Sequence, residues 1–432
     1  MRYVGLFGKS IVVVVIKAGA AVISFFLVTT ITKSLGARDS GLYFTAFSMI
    51  TILALAARTG LDQAALKLMP RSKCNPGLLW KQKNYFTVKT LIISVGLVVI
   101  VVLLIRTMPF NILALVGLEG QSALFYSILP SVIFLSVAMV SANIMKAISK
   151  AYIGSFVESF FIPALTILMI PPLTLDYGVV GAGLSYTAAT FITFLIAVAA
   201  LSRNIPRAIS TTELNSKEII ASSSPLFAVT LLQLLIKEGP VLLAAIKLNP
   251  IDVSMLAVAS RLSLLLTILL IATTTVLAPI ISRMYSENKH IDIYKILTKT
   301  TGALVAIGLV IMLIAWVFGE LLLAEAFGED FRGAFLPMIL LMAGQLVNIS
   351  TGPVQTLLIM SSNEKFVKNS TIAFAVVTLI LATGASFYGV IYISAAVCVT
   401  TAVYNMWLMR AAYTKCGMCP FVISRKFYEK TL

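Results

Sequence analysis

The sequence predicts an all-α polytopic membrane protein of about twelve transmembrane helices. They form two six-helix lobes, related as a parallel internal repeat, around a central cavity. Three observations predict this. The 432-residue chain is 59% hydrophobic and only 12% charged, with a mean hydropathy of +1.00, whereas soluble domains carry about 25% charged residues. Its apolar runs repeatedly reach the ~20 residues needed to cross a ~30 Å hydrocarbon core. Matching motifs recur in the same order about half a chain apart.

The spans follow in order. The opening, MRYVGLFGKSIVVVV, resembles a signal peptide, but the apolar run continues to Ile31. That is too long for a cleaved segment, so 11–32 reads as the first helix. Further spans are expected at 41–60, 86–108, 123–145, 154–174 and 178–201, then at 219–246, 253–282, 296–318, 334–360, 370–387 and 390–412. Runs this long are helices, because lipid offers backbone groups no partners. The expected organisation is an amino-terminal lobe at 1–208, a carboxy-terminal lobe at 209–412 and a tail at 413–432. The polar stretch LSRNIPRAISTTELNSKE joins the lobes.

The net charge of +16 does not indicate nucleic acid, since the chain has no block of five or six like charges. The cations instead cluster in the loops of one side. Lys67, Arg71, Lys73, Lys81 and Lys83 lie in one such loop, and Arg203, Arg207 and Lys217 in another. The positive-inside rule makes that side, and with it both termini, cytoplasmic. The acidic loop GELLLAEAFGEDFRG falls on the other side.

The repeat rests on specific residues. Leu35, Asp39 and Ala46 align with Leu248, Asp252 and Ala259 without a gap. Pro70 matches Pro279, and Leu129-Pro130 matches Leu336-Pro337. An even number of spans per repeat makes the repeats parallel.

The stretch LGARDSGLYFTAFSMITILALAARTGLD, with Gly36, Gly41, Tyr43, Arg58, Gly60 and Asp62, and VSMLAVASRLSLLL in span eight together resemble the polysaccharide transporter branch of the multidrug/oligosaccharidyl-lipid/polysaccharide exporter superfamily. The O-antigen flippases (Wzx-type) are the nearest pattern. The resemblance implies a bacterial inner-membrane flippase of lipopolysaccharide biosynthesis rather than an enzyme. Its cargo would be an undecaprenyl-diphosphate-linked oligosaccharide. It also implies alternating access, no cofactor, and a proton or sodium gradient as candidate energy source. Membrane lipid, a polysaccharide polymerase and other assembly proteins are the implied partners.

Ionisable residues inside spans are costly unless they face water or a partner. Arg261 lies roughly 12 Å in from the outer face. It is read either as a contact for phosphate or acidic sugar, whose oxygens its planar fork fits, or as a lock to backbone carbonyls or Glu158. Lys17, about 9 Å in from the inner face, either faces the cavity or snorkels to the headgroups. Arg58, Lys89 and Lys299 sit near inner ends as path residues or interfacial anchors. Glu158 is an ion-pair partner or a proton carrier.

In LLIKEGPVLLAA, Lys237 falls roughly 27 Å along span seven. Gly239-Pro240 is expected to bend or interrupt that helix. Adjacent Lys237 and Glu238 point about 100° apart and are not expected to neutralise one another. Both become candidates for an outer gate or for ion coupling, with Glu238 favoured by the resemblance.

Other chemistry finds little support. His290 has no metal-ligand cluster around it. No GxxxxGK[ST] motif provides for ATP. The lone CxxC, Cys416 to Cys419, lacks the second pair that a zinc ribbon needs. Gly181 and Gly183 read as close helix packing, and Pro163, Pro171, Pro172 and Pro353 as bends or helix ends. Two other functions compete with the flippase. A multidrug efflux antiporter would favour acidic residues along its path, and only Glu158 and Glu238 are available. A membrane polymerase or ligase would need a long outer loop with Arg or His, which the sequence does not show.

Overall fold

A computed structural model describes residues 2–72, 74–108, 113–209, 214–287, 289–361 and 363–417. Lys73 and Cys419, and with Cys419 the CxxC reading, lie outside them. The described residues are almost wholly helical, without strands. In chain order the helices are α1 (Arg2–Arg58), α2 (Leu61–Leu68), α3 (Pro76–Thr107), α4 (Ser122–Ile128), α5 (Ser131–Ala147), α6 (Ala151–Ser159) and α7 (Phe161–Asn204). There follow α8 (Ser216–Lys247), α9 (Pro250–Ser286), α10 (His290–Phe327), α11 (Phe335–Ser350), α12 (Val354–Met360), α13 (Glu364–Ala385) and α14 (Val390–Cys416).

Among the described residues, ten helical segments are long and apolar enough to cross a membrane. Two of them are double. The segment containing α1 breaks at Gly36 (φ 73°, ψ 178°), and α7 breaks at Gly178 (φ 55°, ψ −134°). Only glycine reaches those angles cheaply, so one residue does the work of a loop. Divided there, the segments supply the twelve expected spans. Prolines 171 and 172 stay inside α7, so the break falls at the glycine and not at the prolines. Pro353 does mark an end, as the N-cap of α12.

Several boundaries differ from expectation. α3 starts ten residues early because Asn75 caps it, its side chain accepting from Leu78 N (3.0 Å), with Pro76 as first helical residue. The expected acidic outer loop is largely helix: α10 runs on to Phe327, and a 3₁₀ turn spans Glu329–Ala334. Gly319 makes this continuation fit, since a Cβ there would meet the Phe335 ring at 2.9 Å. The largest correction concerns α8. It continues unbroken through Gly239 and Pro240 to Lys247.

The chain divides into two compact units. One is Val15–Ser254. The other takes the described residues from Met255 on, with those before Val15. In the first unit, Leu61, Ala64 and Leu68 of α2, Phe86 of α3 and Val140 and Ile144 of α5 form a buried apolar cluster with Leu201 of α7. Small residues bring the helices close. A Cβ on Gly181 would lie 2.0 Å from Leu173 O, and one on Gly183 2.1 Å from Ser127 Oγ, as the packing reading requires. In the second unit, Leu297 of α10, Leu357 of α12, Val367 of α13 and Leu408 of α14 pack with Ile281 of α9. Buried hydroxyls in both units bond back to carbonyls one turn earlier, as Thr193 does to Ala189 O (2.8 Å) and Thr371 to Val367 O (2.9 Å). This supplies partners that lipid cannot.

The breaks recur along the chain. Gly36 precedes the helix limb carrying Asp39 and Ala46, as Asn249 precedes α9 with Asp252 and Ala259. Gly178 interrupts α7 as Gly389 separates α13 from α14. Ala46 and Ala259 are both fully buried.

Candidate functional site

Six of the charges singled out from sequence, Lys17, Arg58, Lys89, Glu158, Lys237 and Glu238, fall in the Val15–Ser254 unit, and several have partners the sequence reading did not assign. Arg58 ends α1. Its Nη1 lies 3.2 Å from Asp62 Oδ2, and its Nε donates to Ala54 O (3.2 Å). The pair is buried, with 14% and 2% of the two side chains exposed. It is made across the helix break at left-handed Thr59 (φ 47°) and Gly60 (φ 78°), between the last turn of α1 and the first turn of α2. Gly60 is also pressed by α8: a Cβ there would lie 2.3 Å from Ser223 O. Arg58 is thus a buried charge paired with Asp62.

Glu238 is 5% exposed. Ser48 Oγ donates to its Oε2 at 2.8 Å, joining α8 to the second limb of α1. Lys237, with more than half its side chain exposed, bends back to place Nζ 3.6 Å from Glu238 Oε1. Here the structure corrects the sequence reading. The 100° separation of Cα–Cβ directions does not keep the charges apart, because the lysine stem is long and flexible. Nor is Glu238 beside a helix interruption, since α8 is continuous there.

Tyr186 of α7, 4% exposed, lies within electrostatic reach of Tyr43, Glu238 and Arg58. Its ring meets Phe47 edge-on at 5.2 Å. Glu158 of α6 accepts from Lys146 Nζ (2.8 Å), which also donates to Asn143 Oδ1 (3.0 Å). Lys146 sits in the last turn of α5. Arg58 is in electrostatic reach of Glu158 as well as Asp62. Lys17 is half-buried on α1. Lys89 Nζ donates to Tyr85 Oη (2.7 Å), and Lys299 is exposed.

Arg261 lies on α9 in the second unit and is half-buried. Its Nη1 donates to Ala257 O, one turn back on the same helix (3.2 Å). That bond stays within α9, and the ion-pair partner of Glu158 is Lys146. Carried on without a gap, the repeat alignment sets Arg261 opposite Ser48, the residue that holds Glu238. Ser48 could have been found from sequence by that alignment alone. Among the described residues, no group of three or more His, Cys, Asp or Glu is placed to hold a metal ion.

The fold is shared with solved structures of MOP superfamily transporters. An inward-closed structure of the lipid II flippase MurJ matches with a TM-score of 0.75 at 13% identity, covering 93% of this chain and 87% of that one. An inward-facing multidrug resistance MATE family transporter matches at 0.66 and 16% identity, covering 94% and 98%. A MOP superfamily transporter from Pyrococcus furiosus, whose binding pocket is described as of reverse polarity, matches at 0.67 and 13%, covering 95% and 96%. No protein-family model and no curated protein sequence matches the chain.

Proposed function

We propose that the protein is a flippase that carries an undecaprenyl-diphosphate-linked oligosaccharide, an O-antigen or related repeat unit, from the cytoplasmic to the periplasmic leaflet by alternating access. Flippase and multidrug transporters share this fold, so the fold does not choose between cargoes. Charge supports the flippase reading, and Arg261 carries the proposal. A half-buried guanidinium stands in a long apolar helix, anchored at one nitrogen to Ala257 O. Its permanent charge and planar fork suit a diphosphate and repel an organic cation. Lys17, half-buried in α1, adds positive charge to the proposed path. Arg58 is neutralised by Asp62 and positions helices in this reading. Glu238, held by Ser48 and Lys237, is the candidate for coupling to a proton or sodium gradient.

One observation favours the alternative, multidrug efflux: Glu238 is a buried carboxylate in the same unit as buried Tyr43 and Tyr186, a pairing of charge and aromatic faces that also suits a cation. The deciding experiment compares Arg261→Ala with Arg261→Lys at equal expression. Surface polymer should fall at least ten-fold in the alanine variant and recover in part in the lysine variant. Normal polymer with Arg261→Ala, or cation efflux by the wild type in vesicles, would sink the flippase reading.

A further inference from the structure

The first turns of α3 and the last turns of α7, with α5 beside them, enclose a groove of about 230 Å³. Its lining is graded. Lys83, Asn84 and Ser202 line one end, and Leu91, Val137 and Phe194 the other. The direction follows from one bond: Lys83 Nζ donates to the carbonyl of Ile205, just past the end of α7, at 3.3 Å. α3 therefore begins where α7 finishes, and Leu91 and Phe194 both lie about two turns, roughly 12 Å, further along. An ammonium carries three donors, so the bond to Ile205 fixes Lys83 without exhausting it. More positive charge flanks this end. Arg203 is exposed, and the Arg207 guanidinium lies 5.9 Å from the Trp80 ring centroid, one turn before Lys83.

An open slot with a fixed cation at one end and two turns of branched and aromatic side chains beyond it has the polarity of a lipid. A free sugar would find too few polar partners, and a metal ion no carboxylate. We infer that this groove is a binding site for an anionic diacyl phospholipid of the bilayer, its phosphate on Lys83 and one acyl chain between α3 and α7. The site is independent of the cargo proposed above.

Trp80 reports on it. In full-length protein carrying Trp316→Phe and Trp407→Phe, Trp80 is the remaining tryptophan. The protein is reconstituted in phosphatidylcholine vesicles with rising fractions of brominated phosphatidylglycerol. Quenching should saturate at a low mole fraction, while brominated phosphatidylcholine at that fraction quenches little. Lys83→Gln should raise the half-quenching fraction roughly five-fold, the value of one lysine at an anionic surface, and Lys83→Arg should leave it near wild type. Val198→Phe, which fills the groove without changing charge, should also raise it. If Arg203→Gln matched Lys83→Gln while Val198→Phe had no effect, binding would be diffuse surface attraction and the inference would fall. It would equally fall if unbrominated polyprenyl phosphate relieved quenching at a lower fraction than unbrominated phosphatidylglycerol, since the groove would then serve a cargo-like lipid.

Discussion

Replacing Asp62 with asparagine should destabilise the protein by about 3–5 kcal/mol, the usual cost of leaving one member of a buried pair alone. At 3.2 Å, two unit charges in an effective dielectric of ~20 attract by about 5 kcal/mol. Only 2% of the Asp62 side chain and 14% of the Arg58 side chain are exposed, so water replaces little of that. Asparagine keeps an oxygen for Gln63 N, which Asp62 Oδ1 now accepts at 2.9 Å. The loss therefore isolates the charge. For a unit of this size, about 2–4 °C per kcal/mol gives a fall in melting temperature of about 6–20 °C in a fixed detergent and lipid mixture. Arg58→Met in the Asp62→Asn background removes the orphaned cation and should recover most of the loss. A single-variant cost below about 1 kcal/mol, the worth of an exposed pair, would refute the buried-pair argument. So would a double variant as unstable as the two singles combined.

Gly60→Ala should cost about 2–3 kcal/mol and lower the yield of folded protein, because its Cβ would meet Ser223 O at 2.3 Å in a left-handed conformation. A thermal shift assay reads this, and an unchanged midpoint would show that α8 yields easily. Glu238→Gln keeps an acceptor for Ser48 and removes the charge. Transport in vesicles should persist with its dependence on the ion gradient lost; retained dependence would exclude Glu238 as the coupling group. Lys146→Met should destabilise by about 1–2 kcal/mol by stranding Glu158, with Glu158→Gln in the same protein restoring it. In the loop after α9, hydrogen bonds from Lys289 and Arg283 pull the Glu287 carboxyl from its ordinary 4.5 down to about 2. A depressed carboxyl stabilises at pH above its unfolded value and loses that contribution as pH falls toward about 2. Proteolysis of this loop should therefore be unchanged from pH 7 to pH 5, and faster with Glu287→Gln at both; a rate that rises on acidification alone would count against the clasp.

Much of the scaffold is legible in the sequence because lipid enforces it. Runs of about twenty apolar residues admit little but helix, but the caps at Asn75 and Asn215, N-P and N-x-x-E patterns that hydropathy does not register, are missed and with them the true helix starts. Hydropathy fails where a helix leaves the apolar phase yet continues. α10 carries Glu320 and Glu325 to its end at Phe327, and the sequence reading ended it at the first acid. Proline misleads at position 240, since a long helix packed along one side tolerates one lost hydrogen bond. At the site, the charged residues were visible, as were their candidate roles, but not their pairings. Arg58 with Asp62 is an i, i+4 contact made across the helix break at Thr59–Gly60, so ordinary helical spacing does not announce it. Ser48 with Glu238 spans most of a repeat, and no local pattern announces it.

The equivalence of Ser48 and Arg261 has a consequence for how such a chain specialises. A duplicated helix gives one backbone address twice, and each copy is released from the duty of the other. Here one copy carries a hydroxyl that steadies a buried acid, and the other a permanent cation. The repeat expected from the sequence thus sets a hydroxyl that steadies a buried carboxyl opposite a permanent cation.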